Sequence, residues 1–247
     1  MDRLLRWMIL IVCVLSVPGG VPASDSPPAT GQRKEPTRAD AERMIQAAEG
    51  SLSPVYAPLA EEIAERLNLS DKQGVGIDLG SGPGTLILEL CKHTKLHWID
   101  ADINPYFFPY FFGRAEAGGF GGRVSAIRAD ACALPFRDEF ADGIVSRGSF
   151  QFWPDLQKGL SEIHRVLKRG GAAYIGRGLA ERMPLDIAKK VREGRGEGPK
   201  YDPNETEQQL RKIMTALGIE DFRIYRPKLN NSEGVNYGVW LQFRKAM

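Results

Sequence analysis

The chain has 247 residues, of which 26% are charged and 43% hydrophobic, and these values are ordinary for a globular protein. This composition excludes wholesale disorder and a multi-span membrane protein. The formal net charge is only +2, from 33 basic and 31 acidic residues, so the chain lacks the basic surplus typical of nucleic-acid-binding proteins. Three cysteines are too few for a disulfide framework.

The first 23 residues have the pattern of a targeting segment. Arg3 and Arg6 precede an apolar run over 7–17, and proline, glycine and small residues then lead up to Ala23, as before a cleavage site. As a helix, the run would be about 16 Å long, roughly half of the hydrocarbon core of a bilayer. We therefore predict a signal peptide or membrane anchor over 1–23. The protein would then be exported to the periplasm or outside the cell, or anchored in a membrane; a misassigned start codon would leave it cytoplasmic.

A flexible linker and a single folded domain are predicted after this segment. Residues 24–36 are polar and rich in proline, with no apolar face to bury, and the domain is expected over 37–247. Thr37 is a suitable N-cap for a first helix that Gly50 would end. A second helix is predicted over about 55–67, where apolar residues recur at four-residue spacing.

From residue 74 onward, predicted strands and helices alternate. The predicted strands are 74–80, 95–102, 123–130, 141–148, 171–179, 221–227 and 235–245. The predicted helices of this part are 81–93, 104–122, 154–171, about 184–193 and 203–217. The alternation predicts an α/β fold with a Rossmann-like, doubly wound, seven-stranded and mainly parallel sheet. The last two strands have no helix between them, so they should form an antiparallel C-terminal pair.

A glycine-rich turn follows the first predicted strand and its Asp78. Glycines between a strand and a helix let a ligand approach the backbone closely, and the amides at the start of the helix point towards it. The spacing over 80–84 is G-x-G-x-G, whereas the dinucleotide fingerprint is G-x-G-x-x-G. Thr85 occupies the place of its last glycine, so a dehydrogenase is disfavoured.

Acidic residues end the next two predicted strands. Asp102 could accept both hydroxyls of a ribose, or it could cap the helix that follows. Asp100 competes for the ribose role, but strand alternation favours Asp102. Asp130 could accept a hydrogen bond from an adenine amine, with the amide of Ala131 nearby; alternatively, it only forms a turn.

These segments together resemble the class I S-adenosylmethionine-dependent methyltransferases, of the small-molecule group called methyltransferase type 11. Residues 76–85 resemble the glycine motif V-x-D-x-G-x-G-x-G of that family, and 102–105 resemble its second acidic motif. Residues 130–140 resemble G-D-A-x-x-L-P-F-x-D-x-x-F, and 141–146 resemble F-D-x-V-x-S. Residues 162–171 resemble E-x-x-R-V-L-K-P-G-G, with arginine in place of proline.

The resemblance implies S-adenosylmethionine as cofactor and assigns roles to matching positions. The implied cofactor-binding residues are Tyr56, Asp78, Gly80, Ser81, Gly82, Gly84, Asp102, Ile103, Asp130, Ala131, Ser146 and Arg147. Among them, Asp78 and the glycines would surround the methionine part, Asp102 would hold the ribose, and Ile103 would pack on the adenine. Gln151 and Trp153 lie where related enzymes contact substrate, and ordinary packing before the next helix is the alternative for both.

The implied activity is methyl transfer to an unidentified small molecule, without a metal and without nucleic acid as a partner. A sulfonium is a good leaving group, so catalysis can come mostly from proximity and alignment. No convincing general base stands out, and the catalytic residues stay unassigned. The alternative is an exported or membrane-anchored, nonenzymatic small-molecule-binding protein on the same fold. Six aromatic residues within 106–112 predict either extra core beneath the N-terminal helices or a contact with a membrane, a partner or an apolar substrate.

Overall fold

The computed structural model describes residues 35–193, 202–229 and 237–247. The predicted targeting segment, almost all of the predicted linker and the turn between the last two strands lie outside these residues. Residues Pro36–Met247 form one compact unit. Among the described residues, every helix is too short or too polar to cross a bilayer.

Seven strands and seven helices make up the described fold. The strands are β1 (Val75–Leu79), β2 (His97–Asp102), β3 (Val124–Arg128), β4 (Ala141–Arg147), β5 (Leu167–Gly178), β6 (Phe222–Tyr225) and β7 (Gly238–Arg244). The helices are α1 (Arg38–Glu49), α2 (Ser53–Arg66), α3 (Thr85–His93), α4 (Phe108–Ala117), α5 (Leu156–Val166), α6 (Leu185–Glu193) and α7 (Pro203–Ala216). Short 3-10 turns precede α4, β3 and α5.

The strands form one sheet in the order β3-β2-β1-β4-β5-β7-β6. The pairs among β1 to β5 are parallel, and β7 runs antiparallel to both of its neighbours. The order reverses between β1 and β4, and in open sheets of this kind ligands bind at the carboxyl ends of the strands beside such a point. The predicted fold class is therefore confirmed.

Two apolar clusters cover the two faces of the sheet. One cluster joins α2, α3 and α4 to strand residues such as Trp98 and Tyr174. The other joins α5 and α7 to strand residues such as Ile77 and Ile144. A smaller cluster packs α6 against the start of α2. Helices on both faces bury the central strands, which explains why strands such as β1 are largely apolar in sequence.

Three local predictions need correction. The predicted aromatic helix is interrupted: a 3-10 turn over Pro105–Phe107 precedes α4, and Pro109 lies in the first turn of α4, where a missing amide costs nothing. The helix α5 ends at Val166 rather than within 168–171, because β5 already begins at Leu167 and pairs with β4. The strand β3 ends at Arg128, so Asp130 lies two residues beyond it.

Glu162 and Arg165 connect α5 to the segment that follows β3. The Arg165 guanidinium donates to the carbonyls of Leu134 and Phe136, and the Glu162 carboxylate accepts from the amide of Leu134. Both side chains therefore fasten the segment after β3 to α5.

Candidate functional site

The glycine-rich turn lies at the point where the strand order reverses. Gly84 has a φ of 71° and precedes α3, and a Cβ there would overlap the ring of Phe111. Gly82 has a φ of 59°, and a Cβ there would meet nothing nearer than 3.7 Å, from Met44. No side chain caps the start of α3, so its first amides stay available as donors. The amides of Gly80, Gly82 and Gly84 are already hydrogen-bonded, so the donors that remain for a ligand are those at the start of α3.

Asp102 is buried beside this turn, as the ribose role requires. The amide of Gly82 donates to its Oδ2 at 2.8 Å, and the amide of Asn104 donates to its Oδ1 at 2.8 Å. Burial raises the pKa of Asp102, and backbone hydrogen bonds from Asn104, Gly82 and Ile103 oppose that rise. A carboxylate has about four acceptor sites, so Asp102 can still accept from a ribose hydroxyl. The predicted alternative is wrong, because the Asn104 side chain, not Asp102, caps the following turn.

Asp78, Arg147 and Tyr56 form a buried polar cluster across β1, β4 and α2. Oδ1 of Asp78 and Nε of Arg147 are buried without a hydrogen bond, and the Arg147 guanidinium lies 5.4 Å from the centre of the Tyr56 ring. Burial, reinforced by the charge of Asp102, raises the pKa of Asp78 to about 8. Burial also lowers the pKa of Arg147 and raises the pKa of Tyr56.

These buried groups fit the cofactor that the resemblance implies. An unpaired buried polar group is costly, and in native proteins it commonly marks a functional position. The methionine part of S-adenosylmethionine carries an ammonium and a carboxylate, which can pair with an ionised Asp78 and with Arg147. The unpartnered groups of Asp78 and Arg147 can therefore bind the methionine part of the cofactor, and Asp102 can bind its ribose.

Asp100 lies on the same face of β2 as Asp102, because side chains two residues apart on a strand point to the same side. The expectation that strand alternation separates the two residues is therefore wrong. Asp100 is fully buried, it lies opposite Asp78 in the register of β1 and β2, and both of its oxygens lack a hydrogen bond. Burial and the charges of Asp102 and Asp78 raise the pKa of Asp100 well above its ordinary value. Two carboxylates in register on neighbouring strands were the available signal, but it becomes readable only once the strand register is known.

The remaining predicted cofactor residues are less clearly placed. Asp130 accepts a hydrogen bond from the amide of Cys132 at 2.9 Å, as in a turn. Ile103 and Ala131 are half-buried beside the ends of β2 and β3. The hydroxyl of Ser146 is buried and donates to the carbonyl of Leu79, so it ties β4 to β1. The cofactor roles of these residues stay predictions, as does that of Ser81.

The two predicted substrate residues follow β4 but point to different surroundings. The Gln151 side chain is exposed, and its amide donates to the carbonyl of Gly148 at 2.7 Å. The Trp153 ring packs on Gly159 of α5, where a Cβ would come within 2.5 Å of it. For Trp153, this contact matches the alternative of ordinary packing, and the substrate role of both residues stays a prediction. Among the described residues, no group of three potential metal ligands converges.

Comparison with known proteins agrees with this geometry. Residues 77–175 match the methyltransferase domain family. A solved structure from Methanococcus maripaludis, named as an S-adenosyl-L-methionine-dependent methyltransferase, superposes with a TM-score of 0.74 at 25% identity over 90% of this chain and 98% of that one. The chain contains a class I S-adenosylmethionine-dependent methyltransferase domain. This is an enzyme domain, and its cofactor is S-adenosylmethionine.

Curated relatives match part of the chain. The spinach 2-methyl-6-phytyl-1,4-hydroquinone methyltransferase is 34% identical over 45% of this chain and 31% of its own length. The demethylmenaquinone methyltransferase of Thermus thermophilus is 35% identical over 40% of this chain and 44% of its own length. The matched part thus spans less than half of either relative.

Proposed function

We propose that the protein transfers the methyl group of S-adenosylmethionine to a small molecule with an apolar body. The observation that carries this proposal is the buried Asp102, hydrogen-bonded to the amide of Gly82, with the unpartnered Oδ1 of Asp78 and Nε of Arg147 close by. This set lies beside the point where the strand order reverses, and it offers partners to the ribose and to both charges of the methionine part.

The proposed mechanism depends mainly on binding and alignment. The cofactor supplies a methyl group on a sulfonium, and the sulfur leaves as a neutral thioether when the acceptor atom takes the methyl. Asp102 and the glycine turn orient the ribose, and Asp78 and Arg147 fix the methionine part. Because a fixed geometry alone can supply much of the rate enhancement, a general base is needed only where the attacking atom carries a proton.

Two observations support an apolar acceptor. Met44 and Phe152 are 44% and 69% exposed; Met44 lies beside Gly82, and Phe152 belongs to the turn directly after β4. Exposed apolar side chains next to a ligand site are typical of surfaces that contact apolar molecules. In addition, the spinach and Thermus relatives are named for a phytyl hydroquinone and demethylmenaquinone, and the phytyl group is a hydrocarbon chain.

Calorimetric titration of the full chain tests the cofactor part of the proposal. S-Adenosylmethionine and its demethylated product should both bind, and D102A should weaken binding at least tenfold because the ribose hydroxyls lose their acceptor. D71N is the matched control, since Asp71 is an exposed aspartate whose side chain is 93% accessible. Absence of binding at millimolar ligand would overturn the proposal.

A transfer assay tests the acceptor part. Radiolabelled methyl transfer should occur to a prenylated quinol or a sterol presented in detergent, and not to water-soluble amines or catechols. Transfer only to a water-soluble acceptor would contradict an apolar acceptor. Cofactor binding with no transfer to any acceptor of such a panel would favour the alternative, a nonenzymatic small-molecule-binding protein.

We also propose that residues 1–23 direct the protein to a membrane, because the apolar run over 7–17 follows two arginines. Such a location would bring the domain close to an apolar acceptor. Mass spectrometry of the protein from fractionated cells tests this. A chain that begins at Ser24, or an intact chain in the membrane pellet, would support the proposal, whereas an intact chain in the soluble fraction would contradict it.

A further inference from the structure

Helix α1 covers the glycine turn but contributes little to the core. Of its twelve residues, only Ala41 and Ala48 are buried. Met44 lies beside Gly82, at 3.7 Å from the position that a Cβ of Gly82 would take. Because alanine buries little apolar area, α1 gains little from the hydrophobic effect. Polar contacts therefore decide where α1 sits.

Asn104 makes the contact that joins α1 to the cofactor site. Its side-chain amide Nδ2 donates to the carbonyl of Thr37, the N-cap of α1, at 3.2 Å. Its Oδ1 accepts from the amide of Tyr106 at 3.1 Å, and its own amide donates to Asp102 at 2.8 Å. Asn104 is buried, with 5% of its surface exposed. Asn104 thus donates to the carboxylate of Asp102, caps the next turn and contacts the N-terminus of α1.

Further polar contacts of α1 are exposed and lie on the same segment. The Arg38 guanidinium stands 5.1 Å from the centre of the Tyr106 ring. At the far end, the Glu49 carboxylate accepts from the hydroxyl of Tyr110 at 2.7 Å and pairs with Arg114 at 3.3 Å. Exposed ion pairs contribute less than about 1 kcal/mol each. Local opening of α1 should therefore cost much less than global unfolding.

We infer that Asn104 is a positioning residue that couples occupancy of Asp102 to closure of α1 over the glycine turn. This inference rests on the proposed use of the cofactor. A ribose bound to Asp102 reduces the motion of that carboxylate and of the Asn104 backbone hydrogen-bonded to it. The Asn104 side chain then holds the carbonyl of Thr37 more firmly, and α1 closes over the ligand. Release of the ligand requires α1 to open.

Two variants isolate the donor that this coupling needs. N104S keeps a side-chain oxygen that can cap the amide of Tyr106, but it lacks the amide group that reaches Thr37. N104D keeps the capping oxygen and likewise lacks the donor. N204S is the matched control, because Asn204 is an exposed asparagine on α7 whose side chain accepts from Arg226, on an element that makes none of these contacts.

Hydrogen exchange of the full chain, with and without saturating S-adenosylhomocysteine, tests the inference. In the wild type and in N204S, the ligand should slow amide exchange within α1 at least tenfold. In N104S and N104D, this ligand-dependent slowing should disappear, and the ligand should dissociate about tenfold faster. Exchange in α3 should be the same in all four proteins without ligand, which confirms that each variant is folded. A merely structural role would change the exchange of α1 without ligand and leave the ligand-dependent slowing intact.

The possible results separate this inference from the proposed function. If the wild type binds no S-adenosylhomocysteine, both the inference on Asn104 and the proposed function are wrong. If the ligand binds but α1 of the wild type exchanges equally fast with and without it, the inference is wrong and the proposed function stands. The same holds if N104S and N104D keep the full ligand-dependent slowing.

Discussion

Three aspartates, Asp78, Asp100 and Asp102, share one face of the sheet near the carboxyl ends of β1 and β2. Asp100 and Asp102 are two residues apart on β2, and Asp78 is in register with Asp100 on β1. All three are buried, and burial raises the pKa of each; the charge of Asp102 adds to the rise at Asp78 and Asp100. Such a group of carboxyls opposes the stability of the empty domain, and it is placed to bind cationic or hydroxyl groups of a ligand.

The raised pKa of Asp78 makes the stability of the ligand-free protein depend on pH. Folded Asp78 keeps its proton up to about pH 8, whereas an unfolded aspartate releases its proton near pH 4. Between these values unfolding releases a proton, so the free energy of unfolding falls as pH rises, by up to about 1.4 kcal/mol per pH unit for this group. D78N should remove this contribution and flatten the pH dependence between pH 5 and pH 7.

Urea unfolding of the wild type and D78N at pH 5, 6 and 7 measures this difference. D71N serves as the control, because Asp71 is exposed and its replacement should leave the pH dependence as in the wild type. Equal slopes for D78N and the wild type would mean that Asp78 is ionised in the folded protein.

The two glycines of the turn should respond differently to alanine. G84A should lose about 2–5 kcal/mol of unfolding free energy, because its positive φ is strained for alanine and its Cβ overlaps Phe111. G82A should lose only about 1–2 kcal/mol, from the strained φ alone. The ratio of lost cofactor affinity to lost unfolding free energy should nevertheless be larger for G82A than for G84A. Thermal unfolding and calorimetry on both variants check this, and an equal loss of stability would contradict the packing at Gly84.

At the scale of elements, the position of α1 depends on the aromatic residues in and just before α4. The sequence left open whether the aromatic residues of 106–112 serve as core or as an exposed contact. Phe107 and Phe111 are buried, Tyr106 and Tyr110 contact α1, and Phe112 is 41% exposed. The expected contribution to the core is thus confirmed in part. Helix α1 contacts the ring of Tyr106 through Arg38 and the hydroxyl of Tyr110 through Glu49.

The N-cap of α1 gives a local prediction. Thr37 and Asp40 form a reciprocal capping box, and T37A should cost the helix about 1 kcal/mol. Because α1 buries so little, this loss should appear as faster amide exchange within α1, with almost no change in the midpoint of thermal unfolding. A fall of several degrees in that midpoint would show that α1 unfolds together with the domain.

The boundary between α5 and β5 shows why a local pattern can mispredict an element. Lys168, Arg169 and Gly170 have the composition of a helix C-terminus, but they belong to β5. Leu167 pairs with Ala141, and the register shifts between Ala141 and Gly143. Strand pairing with β4 competes with helix formation at these residues. This pairing is long-range, so a short stretch of sequence does not reveal it.

At the scale of the whole molecule, ligand binding should stabilise the fold by mass action. S-Adenosylhomocysteine at 100 times its Kd adds about 2.7 kcal/mol, and for a chain of this size the midpoint of thermal unfolding should rise by roughly 5–10 °C. After a tenfold loss of affinity, D102A should show at most about half of this rise at the same ligand concentration. Thermal unfolding with and without ligand measures it, and an equal rise in D102A would exclude Asp102 from the site.

The sequence by itself determined the order of strands and helices, the antiparallel end of the sheet, and the glycine turn with Asp78 and Asp102 at strand ends. These features depend on local periodicity and on turn residues, which a sequence window contains. Only the tertiary structure decided that Asp100 is buried beside Asp78, that Phe111 fills the space at Gly84, and that Asn104 docks α1. In each case the partners are distant in sequence, and their contact depends on strand register and on packing between elements.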